Sequence, residues 1–106
     1  MARALINVPK TAKRGDVIEI KTLISHVMET GFRRNSAGVP YPRNIITDFK
    51  CTYNGEEIFR LDLFPAIAAN PFITFSTIAT DSGTIAFEWN GDNGFHETAS
   101  ATISVD

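Results

Sequence analysis

Apolar and polar residues alternate along most of this chain. In 16–25, DVIEIKTLIS, Ile18, Ile20 and Ile24 fall on one side, Glu19 and Lys21 on the other. A period of two marks a strand with one face buried. The same alternation returns in 45–53, where Ile45, Phe49, Cys51 and Tyr53 oppose Asp48, Lys50 and Thr52. Residues 57–64 follow, with Phe59, Leu61 and Leu63 expected inward. Asn54-Gly55 between these runs predicts a type I′ hairpin, because both residues tolerate the positive φ that turn requires. Further strands are expected over 3–8, 72–80, 83–90 and 95–106. Asp81-Ser82-Gly83 reads as another hairpin turn between 72–80 and 83–90, and GDNG (91–94) turns the chain into 95–106.

No segment carries a convincing helical period. Seven short strands with turns at close spacing predict an all-β fold, an immunoglobulin-like antiparallel β-sandwich, with a small barrel as the alternative. A chain of 106 residues is expected to form one domain, 1–106. Reversal at each strand puts connections alternately at two ends. The long connection 26–44 then shares an end with 64–71 and 90–94, which brings Arg33, Arg34 and Arg43 towards Asp92 and the segment FPAIAANP. Connections of this length tend to be functional or disordered, and Met28, Phe32, Tyr41 and two prolines argue for order here.

Charge adds one feature. The net charge of −2 divides into +5 over residues 1–53 and −7 over 54–106. The halves either interleave and neutralise each other or leave a polarised surface for a partner. The acidic pI and the lack of aromatics among Lys10, Lys13 and Arg14 argue against nucleic acid. No run is long and apolar enough to span a membrane. The opening MARALINVPK lacks the features of a secretory signal, which predicts a cytoplasmic chain or one exported by another route.

Candidate chemistry is sparse. There is no phosphate-binding glycine motif. His26 and His96 fit no metal-ligand spacing, and no cofactor is expected. Cys51, the single cysteine, leaves three readings. It is a buried structural residue, a thiol that pairs with another chain, or a nucleophile; its place between Phe49 and Tyr53 favours the first. In 26–44, Met28, Phe32 and Tyr41 are apolar anchors of the kind that interfaces favour, and Arg33, Arg34 and Arg43 can meet carboxylates or an anionic cargo. Strands 57–64 and 72–80 carry apolar residues on both faces. They are either covered by the chain itself or offered to a partner.

The stretches ISHVMETGFRRNSAGVPYPRNIITDF, FPAIAANPFITFS and WNGDNG together resemble the SoxZ family, in order and over nearly the whole chain. Val27 departs from the proline expected after the histidine. The resemblance implies an immunoglobulin-like, non-catalytic subunit that pairs with SoxY in the periplasm, exported in the folded complex on SoxY's signal. SoxY's C-terminal cysteine arm would carry sulfur intermediates covalently during thiosulfate oxidation and present them to the other Sox enzymes. This chain ends ATISVD, without a Gly-Gly-Cys-Gly-Gly tail, so Cys51 does not inherit the carrier role. Two other classes stand beside this one: an autonomous immunoglobulin-like ligand-binding module, and a thiol enzyme using Cys51.

Overall fold

The computed structural model describes residues 3–106. Eight strands form two sheets: β1 (Ala4–Asn7), β2 (Thr11–Ala12), β3 (Val17–Ile24), β4 (Ile46–Tyr53), β5 (Glu56–Asp62), β6 (Phe72–Ile78), β7 (Gly83–Gly91) and β8 (His96–Val105). One sheet has the order β1-β3-β6, the other β2-β8-β7-β4-β5. Every pairing is antiparallel except the two-residue contact of β2 with β8. The result is the sandwich that the alternating pattern predicts. The extra strand, β2, arises where the chain leaves the first sheet after β1 and joins the second. No helix among the described residues is long and apolar enough to cross a membrane.

The facing surfaces of the sheets supply the core. Ile18, Ile20 and Ile24 of β3 meet Phe49, Cys51 and Tyr53 of β4 and Ile85, Phe87 and Trp89 of β7. Phe49 lies at the centre, with the rings of Phe59, Phe75, Phe87 and Trp89 around it at centroid distances of 5.2–6.2 Å. Such pairs add to stability beyond the area they bury. Thr22 is the one polar residue in the described core, and its hydroxyl donates to the Ile73 carbonyl at 3.0 Å. This bond offsets the cost of burying an unpaired hydroxyl.

The Asn54-Gly55 turn forms as expected, with φ of 51° and 83° and Tyr53 opposite Glu56. The turn at 81–83 does not make a hairpin. β6 and β7 lie in different sheets, so the chain arches across the sandwich there. Tyr53 fixes the arch: its hydroxyl donates to the Asp81 carbonyl and accepts the Thr80 N–H at 3.3 Å. A second correction concerns β5, which is an edge strand. Phe59 is only half-buried and Leu61 is 37% exposed, while Leu63 is buried beyond the strand's end.

The charged halves interleave. Arg14 pairs with Asp81, Arg43 with Asp92 and Lys50 with Glu88, each a base from the first half against an acid from the second.

Candidate functional site

The connection 26–44 folds as a hairpin of its own. Glu29 and Asn44 exchange backbone hydrogen bonds at 2.8 Å, and the Tyr41 N–H donates to the Arg33 carbonyl at 2.9 Å. Asn35 organises the tip. Its side-chain oxygen accepts the N–H groups of Ala37 and Val39, and its own N–H donates to the Val39 carbonyl.

As expected, this hairpin shares an end with the other two connections. The Asn70 N–H donates to the His26 carbonyl at 2.8 Å, and Asn70 Oδ1 accepts the His26 N–H at 2.9 Å. The Asp92 N–H donates to the Ile45 carbonyl at 2.9 Å. Arg43 grips Asp92 with both arms of its guanidinium, at 2.8 Å each, and Asp92 Oδ2 also accepts the Ile45 N–H at 3.1 Å. Hydrogen bonding to Arg43 holds the Asp92 carboxyl below the usual range. Gly91 makes this junction possible, because a Cβ there would stand 2.5 Å from the Ile45 carbonyl oxygen.

Each residue proposed for partner contact now has a place. Phe32 is 81% exposed on the hairpin and Tyr41 37%. The Arg33 guanidinium lies over the Tyr41 ring at 4.1 Å and donates to Glu29 at 2.6 and 3.2 Å. That bond lowers the Glu29 carboxyl and raises the Arg33 guanidinium. Arg34 bonds the Gly38 carbonyl at 2.7 Å and has no carboxylate partner among the described residues. Of the three arginines it alone offers an unmatched charge. Arg43 does reach Asp92, whereas Arg33 and Arg34 are held by their own hairpin rather than by FPAIAANP. Val39, 55% exposed at the tip opposite Asn35, was missed because nothing in its local pattern marks it.

Two readings need correction. Met28 is not presented at the surface: it is 5% exposed, in the core, and its sulfur accepts the Ile46 N–H at 3.3 Å. Its φ of 50° turns the chain inward, and its own N–H donates to His26 Nδ1 at 2.9 Å. Met28 therefore pins the hairpin to the sandwich. Cys51 is fully buried, and burial pushes its thiol up to about 12. A thiol of another chain has no route to it in this fold, and a nucleophile would need the thiolate that burial disfavours.

A cleft of about 680 Å³ lies beside the hairpin base, lined by His26, Asn44, Asn70, Asp92, Asn93 and Phe95 among others. The His26 ring packs edge-on against Phe95 at 4.7 Å. Burial lowers the His26 pKa, partly opposed by Asp92. His96 is turned to Asn90, with Nδ1 2.7 Å from Oδ1. No cluster of three metal-ligating side chains occurs among the described residues.

The family profile for sulphur oxidation protein SoxZ matches residues 6–102. The chain belongs to the SoxZ family. No curated protein sequence matches this SoxZ chain. Solved structures share its fold. Superoxide reductase (neelaredoxin) from Ignicoccus hospitalis superposes with a TM-score of 0.72 at 15% identity, covering 97% of this chain and 80% of that one. The sulfur carrier protein SoxY from Chlorobium limicola f thiosulfatophilum gives 0.66 at 12% identity, over 97% and 78%. A CARDB domain from Pyrococcus furiosus gives 0.62 at 14% identity, over 98% and 93%. At these identities the likeness is one of fold alone. This SoxZ chain and SoxY are built on the same kind of sandwich.

Proposed function

We propose that this chain is the non-catalytic Z subunit of a SoxYZ carrier complex. It pairs with SoxY, whose arm cysteine carries the sulfur intermediates, and works in the periplasm after export together with SoxY. The family match over residues 6–102 carries this reading. Two features of the chain support it. Its one thiol is sealed in the core with a pKa of about 12, which suits a subunit that does not itself hold sulfur covalently. Its long hairpin over 26–44 is braced by its own hydrogen bonds and displays Phe32, Arg34 and Tyr41. A preorganised surface with aromatic and arginine anchors loses little freedom when a partner docks.

In this reading the hairpin meets the other Sox enzymes, with Phe32 as the apolar anchor and Arg34 facing a carboxylate. The pairing of Arg33 with Glu29 and Tyr41 shapes that surface. Replacing Phe32 and Arg34 together by Ala tests it in a reconstituted thiosulfate-oxidising system. Assembly with SoxY should stay intact, while turnover falls about tenfold or more, the loss expected of a hot spot worth over 1 kcal/mol. Unchanged turnover would take the hairpin out of the mechanism.

A further inference from the structure

A sandwich of two open sheets has four edges, and this chain treats them unequally. β1 has four residues and β2 two, both too short to offer a long template. β5 is long, but Glu56, Glu57, Arg60 and Asp62 line it and its register shifts beside Cys51 and Thr52. Charges and irregular register are the usual protections of an edge. β6 has neither. Its seven residues, FITFSTI, include no charge, no proline and no glycine. A long, uncharged, apolar edge invites pairing with any other strand unless something covers it.

The register shows which groups are open. The Pro71 carbonyl accepts the Ile24 N–H at 3.3 Å, and the Ala79 N–H donates to the Asp16 carbonyl at 2.8 Å. These bonds fix the phase of the ladder between β3 and β6. Ile73, Phe75 and Thr77 turn their backbone groups to β3, opposite Thr22, Ile20 and Ile18. Phe72, Thr74, Ser76 and Ile78 turn theirs to the free edge, because backbone direction alternates in an antiparallel pair. The side chains of these four residues are also exposed. Phe72 ends an apolar row, Leu5–Leu23–Phe72, across the outer face of the sheet. Beside it lies a cleft of about 380 Å³ lined by Leu61, Leu63, Ile67, Pro71 and Phe72. Its form suits an apolar side chain.

We infer that the open edge of β6 pairs with an edge strand of the SoxY-type partner, which seats an apolar side chain in the cleft by Phe72. This deepens the proposed function and rests on it. The occupant follows from what the surface asks for: unpaired N–H and C=O groups at every second residue, with apolar flanks at both ends. SoxY has the same sandwich fold as this chain, with a TM-score of 0.66 over 97% of it, so it brings sheet edges of its own. The joined strands would extend the sheet β1-β3-β6 across the subunit boundary.

Amide exchange read residue by residue, on the full chain alone and in complex with its SoxY partner, tests the pairing. In the free chain the amides of Ile73 and Phe75 exchange slowly, while those of Thr74, Ser76 and Ile78 exchange fast. In the complex the fast set slows about a hundredfold or more, as for groups moving from an open edge into a ladder. Thr74→Pro is the matching variant. It removes an N–H that the ladder with β3 does not use, and prolines are tolerated there on edges. It should weaken SoxY binding about tenfold or more, the cost of lost backbone hydrogen bonds, with little change in melting temperature. Thr74→Lys provides a second variant should the proline disturb the fold. A wild-type complex in which the β6 amides stay fast overturns the edge pairing and leaves the SoxY partnership standing. If the wild-type chain forms no complex with SoxY, the partnership and this occupant both fall. If the isolated chain protects the same amides by dimerising, a second copy is the occupant and the assignment to SoxY is wrong.

Discussion

Replacing Met28 by Ala separates two roles that the sequence alone could not. Met28 is 5% exposed, and its sulfur accepts the Ile46 N–H at 3.3 Å. Truncating a buried methionine costs about 2–5 kcal/mol, from lost transfer energy and the cavity left behind. Leaving the Ile46 N–H without its acceptor adds about 1 kcal/mol. The left-handed φ of 50° brings no relief, since alanine is strained there as methionine is. A loss of about 3–6 kcal/mol is therefore expected. At about 4–8 °C per kcal/mol for a domain near this size, the melting temperature falls by at least about 12 °C. Urea unfolding followed by the fluorescence of Trp89, the one tryptophan and fully buried, measures it directly. Met28→Leu keeps most of the volume and should cost less than about 1.5 kcal/mol. If Met28→Ala changes stability by less than about 0.5 kcal/mol while weakening partner binding, Met28 is a surface anchor and the argument from burial fails.

Four further outcomes follow from the same geometry. Cys51 should resist iodoacetamide in the native chain at pH 8 and react on unfolding, because burial pushes its thiol up to about 12; Cys51→Ala should retain turnover in the reconstituted system. Gly91→Ala should cost about 1–3 kcal/mol in urea unfolding, since the new Cβ meets the backbone at Ile45 and Ile46 and neither can withdraw cheaply. Arg43→Ala should speed tryptic cleavage at Arg33 and Arg34 by freeing the hairpin from the 91–95 turn. Acid should also weaken this contact, read as a lower melting temperature below pH 3.8. The Asp92 pKa is lower in the folded chain than in the unfolded one, so its stabilisation is complete above pH 3.8 and is lost as pH falls through the folded value.

The alternating pattern carried most of the fold because its period is also the period of a strand. Buried Phe49, Cys51 and Tyr53 on β4, and Ile85, Phe87 and Trp89 on β7, sit where alternation places them. Two features were hidden for physical reasons. A short turn such as 81–83 serves equally as a hairpin or as an arch between sheets, and only the phenol of Tyr53 and the pairing of β6 with β3 decide which. Met28 sits in a connection, where no periodicity tells an inward side chain from an outward one. Its burial depends on a left-handed backbone that methionine rarely adopts. At the candidate site, the meeting of Arg43 with Asp92 followed from strand reversal, whereas the internal pairing of Arg33 with Glu29 and Tyr41 needed the hairpin's own register.

We propose that this chain acts by docking onto a SoxY partner and does no sulfur chemistry alone. Native mass spectrometry of the chain co-produced with SoxY tests it most directly. A one-to-one heterodimer, with any sulfur adduct on the SoxY subunit and none on the chain with Cys51, is the predicted result. A chain that travels alone and itself gains mass on exposure to thiosulfate would contradict the account.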